Sequence, residues 1–367
     1  MNIPMLDIPR LHEPFQEELE EAFRQLSRSG RYINGPAVAE FEQSLTGYTG
    51  ARFAAAVSSG TDALLCALMA LGVKPGDEVI TTTYTFFATA GCIARLCATP
   101  VFVDAQADSF NIDPSAIEAA ITPRTVGIVP VHLFGRCADM TAVNAIARKF
   151  HLFVIEDAAQ AIGAGHGGKA AGTMGDAAIF SFFPAKNLGA LGDAGAIVTG
   201  DGALDERIRV LRSHGAKKKY HHEEVGGNFR IDTLQAAMLQ IKLRHLNDWT
   251  QGRRRVAVRY HAGFEGHPDI RTPQEGGDFH VYNQYVLRLP ADRRDRVREA
   301  LTAAGIGSAN YYPAPLHLQP CFASPGQRPA DLPVAEALCG QNLALPIDPN
   351  LTDGQIDEVV ATVKEAL

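Results

Sequence analysis

The chain has no C-x-x-C pair among its six cysteines, no apolar run approaching the roughly 20 residues a bilayer span requires, and no excess of positive charge. The first absence argues against a zinc site or a disulfide framework. Cys66, Cys92, Cys97, Cys137, Cys321 and Cys339 sit in apolar or helical contexts and read as reduced thiols of a cytoplasmic protein. The second, with the early charge and proline of "MNIPMLDIPRLHEPF", predicts neither a secretory leader nor a membrane span. The third leaves no field for a nucleic-acid backbone: the net charge is −7, and the densest basic run, "AKKKYHHEE" at 216–224, is short and flanked by acids. Internal repeats and low-complexity tracts are also missing.

What is present is an ordinary globular composition over 367 residues, enough for one large domain and a smaller one. From about residue 37, helical patterns alternate with short β-rich runs. "PAVAEFEQSLTGYTG" reads as a helix stopped by glycine, "FAAAVSSG" as a strand entering a turn, and "TDALLCALMALGV" as a buried helix. The same alternation continues through "DEVITTTYTFFATAGCIARLC", strand "PVFVDA", helix "PSAIEAAI", strand "VGIVPVHLFG", helix "MTAVNAIARKF" and strand "FVIEDAA". Strands separated in this way imply βαβ crossovers and a mostly parallel sheet covered on both faces, hence an α/β fold. Strands "AAIFSFF" and "AGAIVTGD" follow, then a helical pattern from 232 to 264 that is too long to run unbroken. The remainder reads as a smaller α+β domain, dividing the chain into 1–245 and 246–367.

In parallel α/β sheets, ligands gather at the carboxyl ends of strands. The polar residues expected there are Ser58, Ser59 and Thr61, then Tyr84 to Phe87, His132, Asp157 with Gln160, and Ser181 with Lys186, all facing one crevice. "SSGTDALL" places Gly60 and Thr61 at a helix start, where free backbone N–H groups favour an anion, although an ordinary N-cap gives the same pattern. Asp157, at the end of a buried strand, needs a cation; a protonated ring nitrogen or an internal Arg or Lys would serve equally. "GAGHGGKA" at 163–170 imitates dinucleotide and phosphate-loop motifs, but no helix follows and Ala170 stands where a Ser or Thr should hold magnesium. His221 and His222 form no metal site by spacing and read as a solvated loop, so no metal is expected. Lys186 gains weight from its company. A lysine desolvated beside an electrophilic cofactor can form a Schiff base with it.

These blocks resemble the DegT/DnrJ/EryC1/StrS family of fold type I, pyridoxal phosphate-dependent sugar aminotransferases. The likeness runs nearly end to end, through "GPAVAEFE", "SSGTDAL", "GDEVITTTYTFFATA", "TPVFVDA", "ITPRTVGIVPVHLFG", "VIEDAAQAIGA", "FSFFPAKNLGALGDAGAIVT", "NFRIDTLQAA" and "LPIDPNLT". The resemblance implies a large domain built on a mostly parallel seven-stranded sheet. It implies pyridoxal 5'-phosphate, cycling through pyridoxamine phosphate, with Lys186 as the Schiff-base lysine. Asp157 would face the ring nitrogen, Gln160 the ring hydroxyl and Phe86 the ring face. Gly60, Thr61 and Ser181 would hold the phosphate, with Asn228 supplied by the second subunit of a homodimer.

"KNLGALGDAG" and "NFRIDTLQAA" resemble the members that aminate C3 of a nucleotide-linked keto sugar, with glutamate or glutamine as donor. Arg230, Tyr311, Tyr312 and His317 are the candidates for that sugar nucleotide, with packing roles equally open, and Lys218 and Lys219 for its diphosphate. The chain departs from the family pattern where "NFR" replaces N-S-R, and where Tyr311 stands in place of a histidine found in members using uronic acids. Other readings are a C4-keto sugar or keto-cyclitol aminotransferase and a non-catalytic regulator. A related sugar dehydratase would carry histidine in place of Lys186.

Overall fold

The computed structural model describes residues 2–274, 279–323 and 331–367. Its centre is a seven-stranded sheet of β1 (Phe53–Val57), β2 (Glu78–Thr82), β3 (Thr99–Val103), β4 (Thr125–Val129), β5 (Phe153–Asp157), β6 (Ala177–Ser181) and β7 (Gly195–Thr199), in the order β1-β7-β6-β5-β4-β2-β3. Only β7 runs antiparallel to its neighbours. The carboxyl ends of the other six therefore lie along one edge.

Strand alternation builds a core on each face. Ala54, Ala56, Ala178, Phe180, Ala196 and Val198 join one cluster, whereas Ala55, Val57, Ala177, Ile179 and Ile197 join another. Helices α1 (Gln16–Ser29), α2 (Pro36–Thr49), α3 (Gly60–Ala70), α4 (Ala88–Arg95), α5 (Met140–Phe150), α6 (Gly202–Arg212) and α7 (Thr233–Leu243) surround the sheet. α2 stops at Gly50, which adopts φ +79°, as the glycine in its sequence required.

The helical pattern at 232–264 breaks at Arg244–His245 into α7 and α8 (Leu246–Phe264). Beyond it, β8 (Tyr285–Arg288) pairs antiparallel with β9 (Asn342–Leu345), flanked by α9 (Arg294–Ala303), α10 (Pro333–Gln341) and α11 (Asp353–Ala366). Tyr260, Tyr285, Leu301, Leu343 and Ile356 form a separate core here. Ile3 belongs to it, bridging to Ile306, so the first residues cross over to the C-terminal part.

Two local expectations fail. "PSAIEAAI" is not an α-helix but two 3-10 turns, Pro114–Ala116 and Glu118–Ala120. Ile121 turns extended ahead of Thr122-Pro123, where the proline disfavours helical backbone in the residue before it, so the segment cannot be prolonged into a regular helix. The run "VGIVPVHLFG" is strand only as far as Val129, because Pro130 cannot donate to the ladder. "GAGHGGKA" forms a small hairpin of Gly165–His166 against Lys169–Ala170, turned by Gly167 and Gly168 at φ +56° and +77°.

Candidate active site

β6 and the loop after it position the lysine. Phe180 and Phe182 are buried on one side of the strand, while Ser181 is half-buried and Phe183 exposed on the other. Phe182 packs edge-on against Phe41 with ring centroids 5.5 Å apart. Lys186 N–H donates to Phe183 O at 2.8 Å, and Ala190 N–H returns to Phe182 O at 2.7 Å, closing a compact loop. Gly189 is required inside it, since a Cβ there would lie 2.2 Å from Pro184 O. Asn187 ties the loop to the C-terminal part through Val281 O at 3.0 Å.

Successive residues of β5 point to opposite faces, and the two acids separate accordingly. Glu156 is fully buried and accepts His132 Nε2–H at 2.8 Å and the amides of Gly172, Met174 and Gly175. Burial alone would raise its carboxyl; the His132 bond and the amides outweigh it and hold the group below its usual value. His132 Nδ1 accepts from Ala138 N–H at 3.2 Å, so this ring is consumed inside the protein and does not face the crevice. The histidine expected at the crevice is thus the partner of Glu156 and not of Asp157.

Asp157 looks toward the sheet edge. It accepts Thr89 Oγ1–H on Oδ2 at 2.8 Å and Ala159 N–H on Oδ1 at 3.2 Å. Burial raises its carboxyl above the usual value despite these bonds and the nearby Lys186 ammonium. Burial in turn pushes Lys186 down to about 8, with Asp157 opposing the fall.

Gln160 follows on the same loop. Its Oε1 accepts Phe134 N–H at 2.6 Å, and its Nε2 donates to the Tyr312 hydroxyl at 3.2 Å. Phe86 is exposed, with its ring centroid 6.3 Å from that of Tyr312. Tyr84, by contrast, is buried and donates to Tyr311 O at 2.6 Å.

At the end of β1, Ser59 caps α3 by accepting Asp62 N–H at 3.0 Å, and Ser58 Oγ donates to Asp62 Oδ2 at 2.7 Å. The cap takes one first-turn amide, and the helix supplies no acceptor for those of Gly60 and Thr61. A Cβ on Gly60 would lie 2.6 Å from Ser181 Cβ, so helix start and strand end close on each other here.

The remaining candidates divide. Asn228 is exposed on a segment whose backbone bridges Ser213, and Arg230 follows it beside Val57 with Nε buried and unbonded among the described residues. His317 is buried, its Nδ1 2.7 Å from Thr83 Oγ1 and its Nε2 3.3 Å from Glu336 Oε1. Both ring nitrogens are therefore within hydrogen-bonding distance of protein groups. Lys218 and Lys219 lie on or beside an exposed hairpin with His221 and His222, where His222 Nδ1 donates to His214 O at 2.8 Å. Thr89 escaped sequence reasoning, as did the pairing of Glu156 with His132, a residue expected at the crevice, because no spacing shows which buried polar groups meet in space.

A doubly covered, mostly parallel sheet carrying a desolvated lysine and a buried aspartate at one edge is the layout of a fold type I aminotransferase. The chain belongs to the DegT/DnrJ/EryC1/StrS aminotransferase family, whose model matches residues 14–364. It is 48% identical to a pleiotropic regulatory protein of Geobacillus stearothermophilus, across 100% of this chain and 98% of the relative. Identity is 43% to the UDP-N-acetyl-3-dehydro-alpha-D-glucosamine 3-aminotransferase of Acidithiobacillus ferrooxidans, with the same coverage of 100% and 98%. The crystal structure of Streptomyces venezuelae DesV in complex with a ketimine intermediate superposes with a TM-score of 0.95, 42% identity and coverage of 99% and 98%. NtdA from Bacillus subtilis with bound cofactor PMP gives 0.92, 32% identity and coverage of 100% and 85%.

Proposed function

We propose that this protein transfers an amino group from L-glutamate or L-glutamine to C3 of a nucleotide-linked 3-keto sugar, with pyridoxal 5'-phosphate as cofactor. The observation that carries the reading is the pairing of Lys186 and Asp157 at the carboxyl edge of the sheet, opposite the Gly60–Ser181 contact. The A. ferrooxidans relative, named for a 3-amino transfer to a UDP sugar, supports the position on the sugar.

The residues fit that cofactor. A phosphate suits the Gly60 and Thr61 amides beside the Ser181 hydroxyl, where a larger side chain than glycine would clash. A protonated ring nitrogen suits Asp157, whose burial leaves the carboxylate short of positive charge. Gln160 would meet the ring hydroxyl, Phe86 the ring face, and Asn228 of a second copy the phosphate. When bound, the cofactor supplies an electron sink for the carbon bearing the transferred nitrogen.

The chain's own groups handle the protons. Lys186 Nζ, held well below an ordinary lysine so that deprotonating it costs less than in water, takes a proton from the donor's α-carbon and later delivers one to C3 of the sugar. In its ionised form Asp157 holds a positive charge opposite it, which offsets the burial that raises its carboxyl. Tyr312, with its phenol kept neutral by burial and tied to Gln160, forms the wall nearest Phe86, and Tyr311 adjoins it. Arg230 is the candidate for the sugar nucleotide, its buried Nε having no bond among the described residues, while His317 is held between Thr83 and Glu336.

A homodimer is part of the proposal. Phe23, Tyr32, Ile33, Phe183 and Leu191 are exposed, an apolar surface that a second copy would cover while placing its Asn228 at the phosphate. Residues 1–245 form the cofactor-binding part and 246–367 the smaller domain, divided at the helix break, with Ile3 reaching across. All six cysteines are free, which suits a cytoplasmic location, and no described helix is long and apolar enough to cross a membrane.

The test is a substrate panel. The pyridoxamine form should be discharged by dTDP- or UDP-linked 3-keto sugars with a 3-amino product, and not by 4-keto sugars or keto-cyclitols. Discharge only by one of the latter moves the assignment to that substrate. No discharge by any ketone favours a regulatory role, the reading suggested by the name of the Geobacillus relative.

A further inference from the structure

Asp157 rests on a short hydroxyl chain. Thr89 lies in the first turn of α4, where the helix dipole favours a negative charge, and its Oγ1–H points to Asp157 Oδ2 at 2.8 Å. Thr85 Oγ1 stands 3.4 Å behind Thr89 Oγ1. An ionised carboxylate can only accept, so Thr89 spends its one proton on Asp157 and can receive Thr85's in return. Both threonines are buried, leaving solvent no part in the arrangement.

We propose that Thr89, backed by Thr85, is a positioning residue that keeps Asp157 ionised and so sets the proton affinity of Lys186. The inference rests on the proposed reading that Lys186 and Asp157 are the working pair of the site. A charge-assisted hydrogen bond favours the ionised partner, and losing it inside a buried site returns the carboxyl toward its neutral form. The other groups facing Asp157 are Lys186, His132, the Cys92 thiol and the Tyr312 phenol. Cys92, pushed up to about 12, and Tyr312, also raised by burial, stay neutral. His132 is committed to Glu156 and Ala138. Lys186 is therefore the group that registers a change of charge at Asp157.

The experiment uses the cofactor-free chain, so that catalysis does not enter. Competitive labelling with acetic anhydride, read by mass spectrometry on the Lys186 peptide, gives the apparent pKa of that amine in wild type, Asp157→Asn, Thr89→Val, Thr89→Ser and Thr85→Val. Asp157→Asn should lower it. Thr89→Val should lower it in the same direction and by no more than Asp157→Asn does, because the lost bond is charge-assisted; Thr85→Val should lower it less, and Thr89→Ser should restore it. A Thr89→Val value equal to wild type, while Asp157→Asn shifts, overturns the role of Thr89 alone. No shift in Asp157→Asn overturns the site reading as well. Circular dichroism checks folding, and Thr89→Ala replaces the valine variant if that one does not fold.

Discussion

Burial singles out two lysines at the residue scale, and only their neighbours tell them apart. Lys186 and Lys242 are both held down at about 8 by desolvation. Lys242 is hydrogen-bonded to His12 Nε2 at 2.8 Å within the core, whereas Lys186 lies at the sheet edge beside Asp157. Because the free amine is the nucleophile, the rate of pyridoxal phosphate capture should rise with pH to an inflection near 8. Stopped-flow absorbance between pH 6.5 and 9.5 measures it; a rate still climbing at the top of that range would place the amine in water. A second prediction concerns the cradle. Gly60→Ala sets a Cβ 2.6 Å from Ser181 Cβ and should cost about 1–3 kcal/mol by overpacking, read as a lower melting temperature together with weaker cofactor binding. The places of Asp157 and Lys186 near the carboxyl edge of the sheet and of Gly60 at a helix start were legible from the strand and helix pattern, whereas the roles proposed for them came from their company and from the family resemblance. Thr89 was not legible, since a threonine one residue into a helix carries no mark of the carboxylate it meets in space.

At the scale of elements, short, nearly continuous apolar runs between helical patterns made the strands readable, and the alternation of side chains along β5 decided the chemistry by sending Glu156 and Asp157 to opposite faces. The break between α7 and α8 was legible from length alone. "PSAIEAAI" was not, because its apolar spacing is the same for an α-helix and for consecutive 3-10 turns, and only the proline-bounded geometry chooses between them. The turn Ile8–His12 gives a testable pH effect. Burial, aided by Lys242, lowers His12 to about 4 from 6.5. The unfolded chain then binds a proton that the folded one refuses, so stability falls as pH drops from about 6.5 toward 4. His280, lowered to about 3, and the depressed Glu156 act in the same direction. Melting temperatures across this range should fall less steeply for His12→Gln; identical slopes would show that His12 is already charged in the native state.

For the molecule as a whole, a mostly parallel sheet covered on both faces followed from the alternation of strand and helix patterns, but the order of strands along the sheet did not, since local pattern does not say which strands become neighbours. Phe183, at the end of an aromatic run that reads as strand in the sequence, lies open in the single chain, as does Leu191 on the other side of the lysine loop. A shared site makes a quantitative prediction. Lys186→Ala and Asn228→Ala chains, each inactive alone, should recover about a quarter of wild-type activity when unfolded and refolded together, since half the dimers then hold one intact site. Recovery well below that level, with mixed dimers confirmed by native mass spectrometry, would place Asn228 in its own chain's site.

The central claim is that Lys186 is the residue that holds the cofactor. The direct measurement is borohydride reduction of the protein incubated with pyridoxal phosphate, followed by peptide mass mapping. The account predicts one modified peptide, carrying Lys186, and its loss in Lys186→Ala. Modification at Lys242, the other lysine lowered by burial, or an unchanged yield in Lys186→Ala would contradict it.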